Sequence, residues 1–320
     1  SVTGCVGNAT SSSDSTSASS VAESSDTSTQ TSADASSEDE SKDESSQEES
    51  KDLEANYTKY TLDGDLTQHM IDMSRLNEGN KVRLANVIKK LKNGEEVTVG
   101  FIGGSITQGT SAGNDLCYAK LTADWLQQTY SNAKINYVNA GIGATGSYIG
   151  VHRVENDLLS KKPDLVFVEF SVNDTTENTE RNKKSYDGLL RTIWKSSTNP
   201  AIITIATTQE DGTSFQDQHA EIVKHYDLPM ISYRNTILDT IKHGDIVWKD
   251  ISDDNIHPNV PGHKIVSQLL QAYISDVDKD VDNISGSESD FTTPATDAPI
   301  ENGSLCLLYT SPSPRDMRRS

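Results

Sequence analysis

The chain has 320 residues and a formal net charge of −20, with 33% hydrophobic and 6% aromatic residues, and much of its length is unavailable to a core. Of the first 50 residues 24 are Ser or Thr, and through Ala55 there are 13 acidic residues against two lysines, a net −11 of the total. Such a stretch cannot bury enough apolar surface to offset its ordering entropy and reads as a self-repelling linker, while the lack of a basic patch excludes a nucleic-acid partner.

The chain opens on Val2-Thr3-Gly4-Cys5, which resembles the lipobox at the end of a bacterial lipoprotein signal peptide. The resemblance implies cleavage before Cys5 and lipidation there. It also implies an extracellular, cell-surface location, with the membrane touched only through that anchor. Residues 1–52 are then the lipobox-like start and its tether. No other stretch is long and apolar enough to span a membrane. Cys5, Cys117 and Cys306 make neither a disulfide framework nor a CxxC metal motif, and Cys117 is expected to pack on a helix.

Between residues 53 and 276 short apolar runs alternate with amphipathic segments. A helix is predicted over 80–92, stopped by Asn93-Gly94, and a strand over 97–102. Helices over 118–130, 148–161, 184–195, 215–226 and 261–274 then alternate with strands over 135–138, 165–170, 201–206 and 230–233. The strands are rich in Val and Ile and bounded by Gly, Pro, Asn or Asp, as parallel strands covered on both faces are. The pattern predicts one three-layer α/β/α sandwich on a parallel five-stranded sheet, flavodoxin-like in arrangement. Beyond it, 277–304 reads as an acidic Ser/Thr linker. Cys306 to Asp316 looks like an in-frame translation of a sequencing-library adapter, so 305–320 are expected to be an artefact tail.

Open parallel sheets bind ligands beyond the carboxyl ends of their strands. Ser105 follows the first strand, Gly141 to Ala144 the second and Asn173 the third, while Asp254 and His257 lie in the loop before the last helix. A hydroxyl, backbone amides, a side-chain amide, a carboxylate and an imidazole can therefore meet at one edge. Nucleophilic acyl transfer needs those groups. Taken singly, a Ser after Gly-Gly is an ordinary cap, and Asp-x-x-His before Pro an ordinary solvated loop.

Other motifs fail on placement. Gly109-Thr-Ser-Ala-Gly113 spells the nucleophile elbow of larger hydrolases, but Ser111 lies nine residues past the strand end at Ile102. Gly141-Ile-Gly-Ala-Thr-Gly146 spells a dinucleotide fingerprint, but it follows the second strand and no acidic residue closes the next one at ribose distance. The seven histidines show no pair at metal-ligand spacing, His257 and His263 included. Asp276-Val-Asp-Lys-Asp280 lacks the central Gly and terminal Glu of a calcium loop. No metal and no organic cofactor are expected.

Phe101-Ile-Gly-Gly-Ser-Ile-Thr-Gln-Gly109 resembles the first block of the SGNH (GDSL-type) hydrolases, in the subgroup with Gly-Gly-Ser-Ile-Thr. Asn139 to Gly146 is similar to the second block, Ser171-Val-Asn-Asp174 to the third and Asp254-x-x-His257 to the last. The resemblance implies Ser105 as nucleophile, His257 as general base and Asp254 as its orienting carboxylate. The oxyanion would be met by the backbone N–H of Ser105, that of Gly143 (or Ala144 in an alternative register) and the Asn173 amide. The Asp that other members carry after the first Gly is missing here. The resemblance implies a serine esterase cleaving acetyl or other small ester groups from a small-molecule or polysaccharide substrate. An acyltransferase, lipase or thioesterase with the same triad, a non-catalytic carbohydrate-binding module and a nucleotide-binding dehydrogenase are the alternatives.

Overall fold

The computed structural model describes residues 57–175 and 178–301. The lipobox-like start, Cys5, the tether of 1–52 and the tail of 305–320 lie outside the described residues.

The elements run α1 (Gln68–Ser74), β1 (Arg75–Asn77), α2 (Val82–Lys92), β2 (Glu96–Gly103), α3 (Ser105–Gln108), α4 (Tyr118–Thr129), β3 (Lys134–Gly141), α5 (Ser147–Asp157), β4 (Leu165–Glu169) and α6 (Thr179–Trp194). There follow β5 (Ala201–Ala206), α7 (Gln216–His225), β6 (Met230–Ser232), α8 (Tyr233–Lys242), α9 (Trp248–Ile251) and α10 (Val260–Lys279). The strand order is β1-β6-β5-β4-β2-β3. Strands β2 to β6 pair in parallel, in the flavodoxin-like order, and β1 pairs antiparallel with β6. The expected five-stranded parallel sheet is thus corrected to a mixed sheet of six strands. The extra strand escaped the sequence because it is three residues long, half-buried, and follows a helix with no turn between.

Both sheet faces are covered, which is why the parallel strands carry apolar residues at successive positions. Phe101, Leu165, Phe167 and Ile203 pack on one side with α2, α4 and α10. Ile102, Val166, Val168 and Ile202 pack on the other with α5, α6 and α7. In α10 the stripe Ile265, Val266, Leu269, Leu270 and Tyr273 is buried, Pro261 stands in the first turn, and the Asn259 side chain accepts the Gly262 N–H at 3.2 Å. α6 begins five residues before its expected start because Asn178 caps it, accepting the Arg181 N–H at 3.0 Å.

The segment read as a linker over 277–304 behaves otherwise where it is described. α10 runs to Lys279, with Asp276 paired to Arg75 at 2.8 Å and Asp278 to Lys92 at 2.5 Å. Residues 280–301 then strap the domain. Phe291, 6% exposed, stacks on Tyr226 at 3.9 Å and on Trp194 at 4.5 Å. Buried Asp187 accepts the Thr296 N–H and hydroxyl, each at 2.7 Å, and Arg191 pairs with Glu301. A single aromatic among Ser, Asp and Thr gives no periodic signal, so composition misreads this stretch. Phe291→Ala should cost about 3–5 kcal/mol in urea unfolding, the usual range for emptying a buried aromatic site. A loss under about 1 kcal/mol would show that the strap contributes nothing.

Candidate active site

The nucleophile candidate is built by a turn with no room in it. β2 ends at Gly103, Gly104 caps the next element, and Ser105 is the first residue of the single turn α3. A Cβ on Gly103 would stand 2.0 Å from Thr107 Oγ1, and one on Gly104 would stand 1.9 Å from Asn173 Oδ1. The first N–H groups of a helix have no acceptor within it, so the Ser105 amide is presented at the helix start. Two side chains brace this junction. Asn139 Nδ2 donates to the Thr107 carbonyl and Asn139 Oδ1 accepts the Gly141 N–H, both at 2.8 Å. Arg153, 3% exposed, donates to the carbonyls of Gly103 at 2.9 Å and Ala140 at 2.6 Å, closing the ends of β2 and β3 together.

His257 Nε2 lies 2.9 Å from Ser105 Oγ, and its Nδ1 lies 2.8 Å from Asp254 Oδ2. The spacing of three has a local cause. Asp254 Oδ1 accepts the backbone N–H groups of Ile256 at 2.7 Å and His257 at 2.6 Å, so the carboxylate folds its own loop back beneath the imidazole. The Ser252 hydroxyl is shared between the carbonyls of Asp254 and His257, and Trp248 Nε1 donates to the former. Partial burial pushes the Asp254 carboxyl up, but the backbone N–H and ring of His257 and the Ile256 N–H outweigh it and hold the group at about 2. Asp254 therefore stays ionised through the neutral range, as a partner for a charged imidazole must.

Asn173 opens a short 3-10 turn after β4 and sets its side-chain amide against Gly104. Its neighbour Asp174, 1% exposed, joins this turn to the second loop. Asp174 Oδ1 accepts the Ser147 N–H at the start of α5 at 2.8 Å, and Oδ2 meets His219 Nε2 at 2.9 Å. Gly143 stands in the second loop, beside Ser105. Its N–H donates to Gln108 Oε1 at 2.8 Å. Ala144, the alternative donor, takes a left-handed backbone with φ +58°. Gln108 was not singled out in the sequence, where it is only a polar residue on a helical turn.

The rival motifs are placed elsewhere. Ser111 is exposed in a left-handed turn beyond α3. The helix start after Gly146, where a dinucleotide phosphate would bind, already receives the Asp174 carboxylate. Cys117 is buried at the start of α4, as expected.

A carboxyl does lie beneath the nucleophile's turn, although the motif lacks its Asp. Glu169 ends β4 beside Gly103, fully buried, and accepts from Thr207 Oγ1 at 2.7 Å, Ser171 Oγ at 3.3 Å and Thr107 Oγ1 at 3.5 Å. Burial pushes it up to about 7 against the pull of the Thr207 and Ser171 hydroxyls. Away from this edge, His69, Asp239 and His243 form the group of potential metal ligands among the described residues. His69 stands 170 positions from Asp239, so the group of three is no local motif.

The sequence pattern of the GDSL-like Lipase/Acylhydrolase family matches residues 101–265, and the chain belongs to this family. Among solved structures it is similar to a two-domain esterase active on acetylated mannans, with 38% identity and a TM-score of 0.68 over 71% of this chain and 61% of that one. The same esterase co-crystallised with mannopentaose gives 38% identity and a TM-score of 0.66 over 71% and 60%. The chain thus spans about 61% of that protein's length. A comparison with curated proteins finds no match.

Two outcomes follow from the charges. A carboxyl raised in the folded state stabilises fully below its unfolded value and loses that contribution as pH rises through about 7. The Glu169 contribution to stability should therefore fall by roughly 2–3 kcal/mol between about pH 4.5 and pH 7, read as the difference between wild-type and Glu169→Gln unfolding curves across that range. Asp254→Asn should lower kcat by about 10⁴ at pH 7 with KM little changed, since the amide fixes the wrong imidazole tautomer.

Proposed function

We propose that the protein is a serine esterase that removes acetyl groups from a polysaccharide. The observation that carries the reading is the unbroken hydrogen-bonded line from Asp254 through His257 to Ser105, set at the carboxyl edge of the sheet. Ser105 Oγ passes its proton to His257 Nε2 and attacks the ester carbonyl carbon. The oxyanion is met by the Ser105 N–H and the Asn173 amide, with the Gly143–Ala144 turn beside them. His257 then protonates the departing sugar oxygen, and a water activated by the same ring releases acetate from the acyl-enzyme.

The cleft next to the Asn173 amide and the Ala144 turn supports a small acyl group. A cleft of about 290 Å³ is lined by Ala144, Tyr148, Ile149, Asn173 and Arg181, mixing an aromatic face with polar groups. The Arg181 guanidinium lies 4.5 Å from the Tyr148 ring centre. A polar cleft of that volume suits an acetyl group and a sugar ring better than a long acyl chain. The likeness to an esterase active on acetylated mannans supports a polysaccharide carrier. The lipobox-like start adds a cell-surface anchor at Cys5, a reading that rests on Val2 to Cys5 alone.

Nitrophenyl esters of rising chain length, with wild type and Ser105→Ala, test the reading. Acetyl should be preferred over octanoyl, Ser105→Ala should lose at least about 10³-fold in kcat/KM, and acetylated mannan should release acetate. Wild-type rates in the alanine variant would overturn the mechanism. A preference for long chains would overturn the substrate.

A further inference from the structure

Helices α1 and α8 pack together at the β1–β6 side of the sheet, while Ser105 follows β2, three strands further along. Where they meet, His69 Nε2 lies 2.6 Å from Asp239 Oδ2, and His243 Nδ1 lies 3.2 Å from the same oxygen. One ligand atom from each of the three residues falls within 4.8 Å of the others. His69 is 3% exposed, and Asp239 and His243 are partly buried. The Tyr57 ring stacks on His243 at 4.2 Å, meets His69 edge-on at 5.5 Å, and is held in place by its hydroxyl donating to Asp245 at 2.6 Å.

From this arrangement we infer that His69, Asp239 and His243 bind a divalent transition cation of the zinc class. A tetrahedral ion with bonds of about 2.0–2.1 Å sets its ligands about 3.3 Å apart, so the two contacts to Asp239 Oδ2 need only small adjustment. Two imidazoles and one carboxylate are a borderline donor set. Zinc takes it readily, whereas magnesium and calcium prefer oxygen ligands throughout. Three protein ligands leave one position for water, and the Tyr57 ring walls one side of the group. Asp239 and His243 are four residues apart, Asp239 on α8 and His243 at its C-cap, so their approach is local. His69 comes from α1, so a bound ion would clamp the first described helix to the body of the domain.

The full chain, carrying no histidine tag and stripped with a chelator, is titrated with zinc sulfate by calorimetry. One equivalent should bind saturably. Affinity should fall at least about tenfold in Asp239→Asn and again in the Asp239→Asn/His243→Gln double variant, with native circular dichroism retained. Equal affinity in the folded double variant would overturn the site, as would no saturable binding to wild type. Should the variants not fold, a visible absorption band from wild type with one equivalent of cobalt, of the intensity four-coordinate N/O ligation gives, supports it. A weak octahedral band overturns it.

Discussion

The structure depends on a space too small for any side chain. At Gly103 and Gly104 the end of β2, the turn of α3 and the Asn173 amide approach until a single methyl group has nowhere to go. That closeness aims a serine out of a buried strand and brings the side-chain amide of another strand's loop to the same place. Arg153 pins the approach by donating to the carbonyls of Gly103 and Ala140 at the ends of the two strands. The buried guanidinium, with Asp157 as partner, is tied down by the very groups it serves.

Around this junction polar groups are buried in linked pairs. Asp174 reaches the start of α5 with one oxygen and His219 with the other, while Glu169 gathers three hydroxyls. Each ties the end of β4 to elements that follow other strands of the sheet. Rigid placement thus comes from hydrogen bonds in a setting where leaving them unmade is costly. The cleft beside them can then keep its polar lining without relying on an apolar floor.

Much of this was legible in the sequence, for reasons that can be named. The parallel strands announce themselves because both faces are buried, which makes 97–102, 165–170 and 201–206 largely apolar runs. Asp254 and His257 are legible because their geometry is local. What escaped was either too short or too distributed. β1 and α9 are three and four residues long, and α8 starts on the residue after β6, with Ser232 serving both as strand end and as helix cap. The strap of 280–301 hides its one buried aromatic in linker-like composition. Gln108 became visible only when a loop from another strand placed the Gly143 amide over it. His69 needed the fold to meet Asp239 and His243.

The turn at Asp254 divides the alignment problem unevenly. Because the carboxylate is stitched to the backbone of its own imidazole, those two groups move as one body. The line of three is then correct or incorrect according to a single distance, between Ser105 and His257. Errors arising within either half are absorbed locally, and only relative travel of the β2–α3 junction against the α9–α10 loop can break the line. The contacts of α4 with α10, among them the Tyr118 N–H donated to His263 Nδ1 at 3.1 Å, therefore bear on the mechanical tolerance of the whole site.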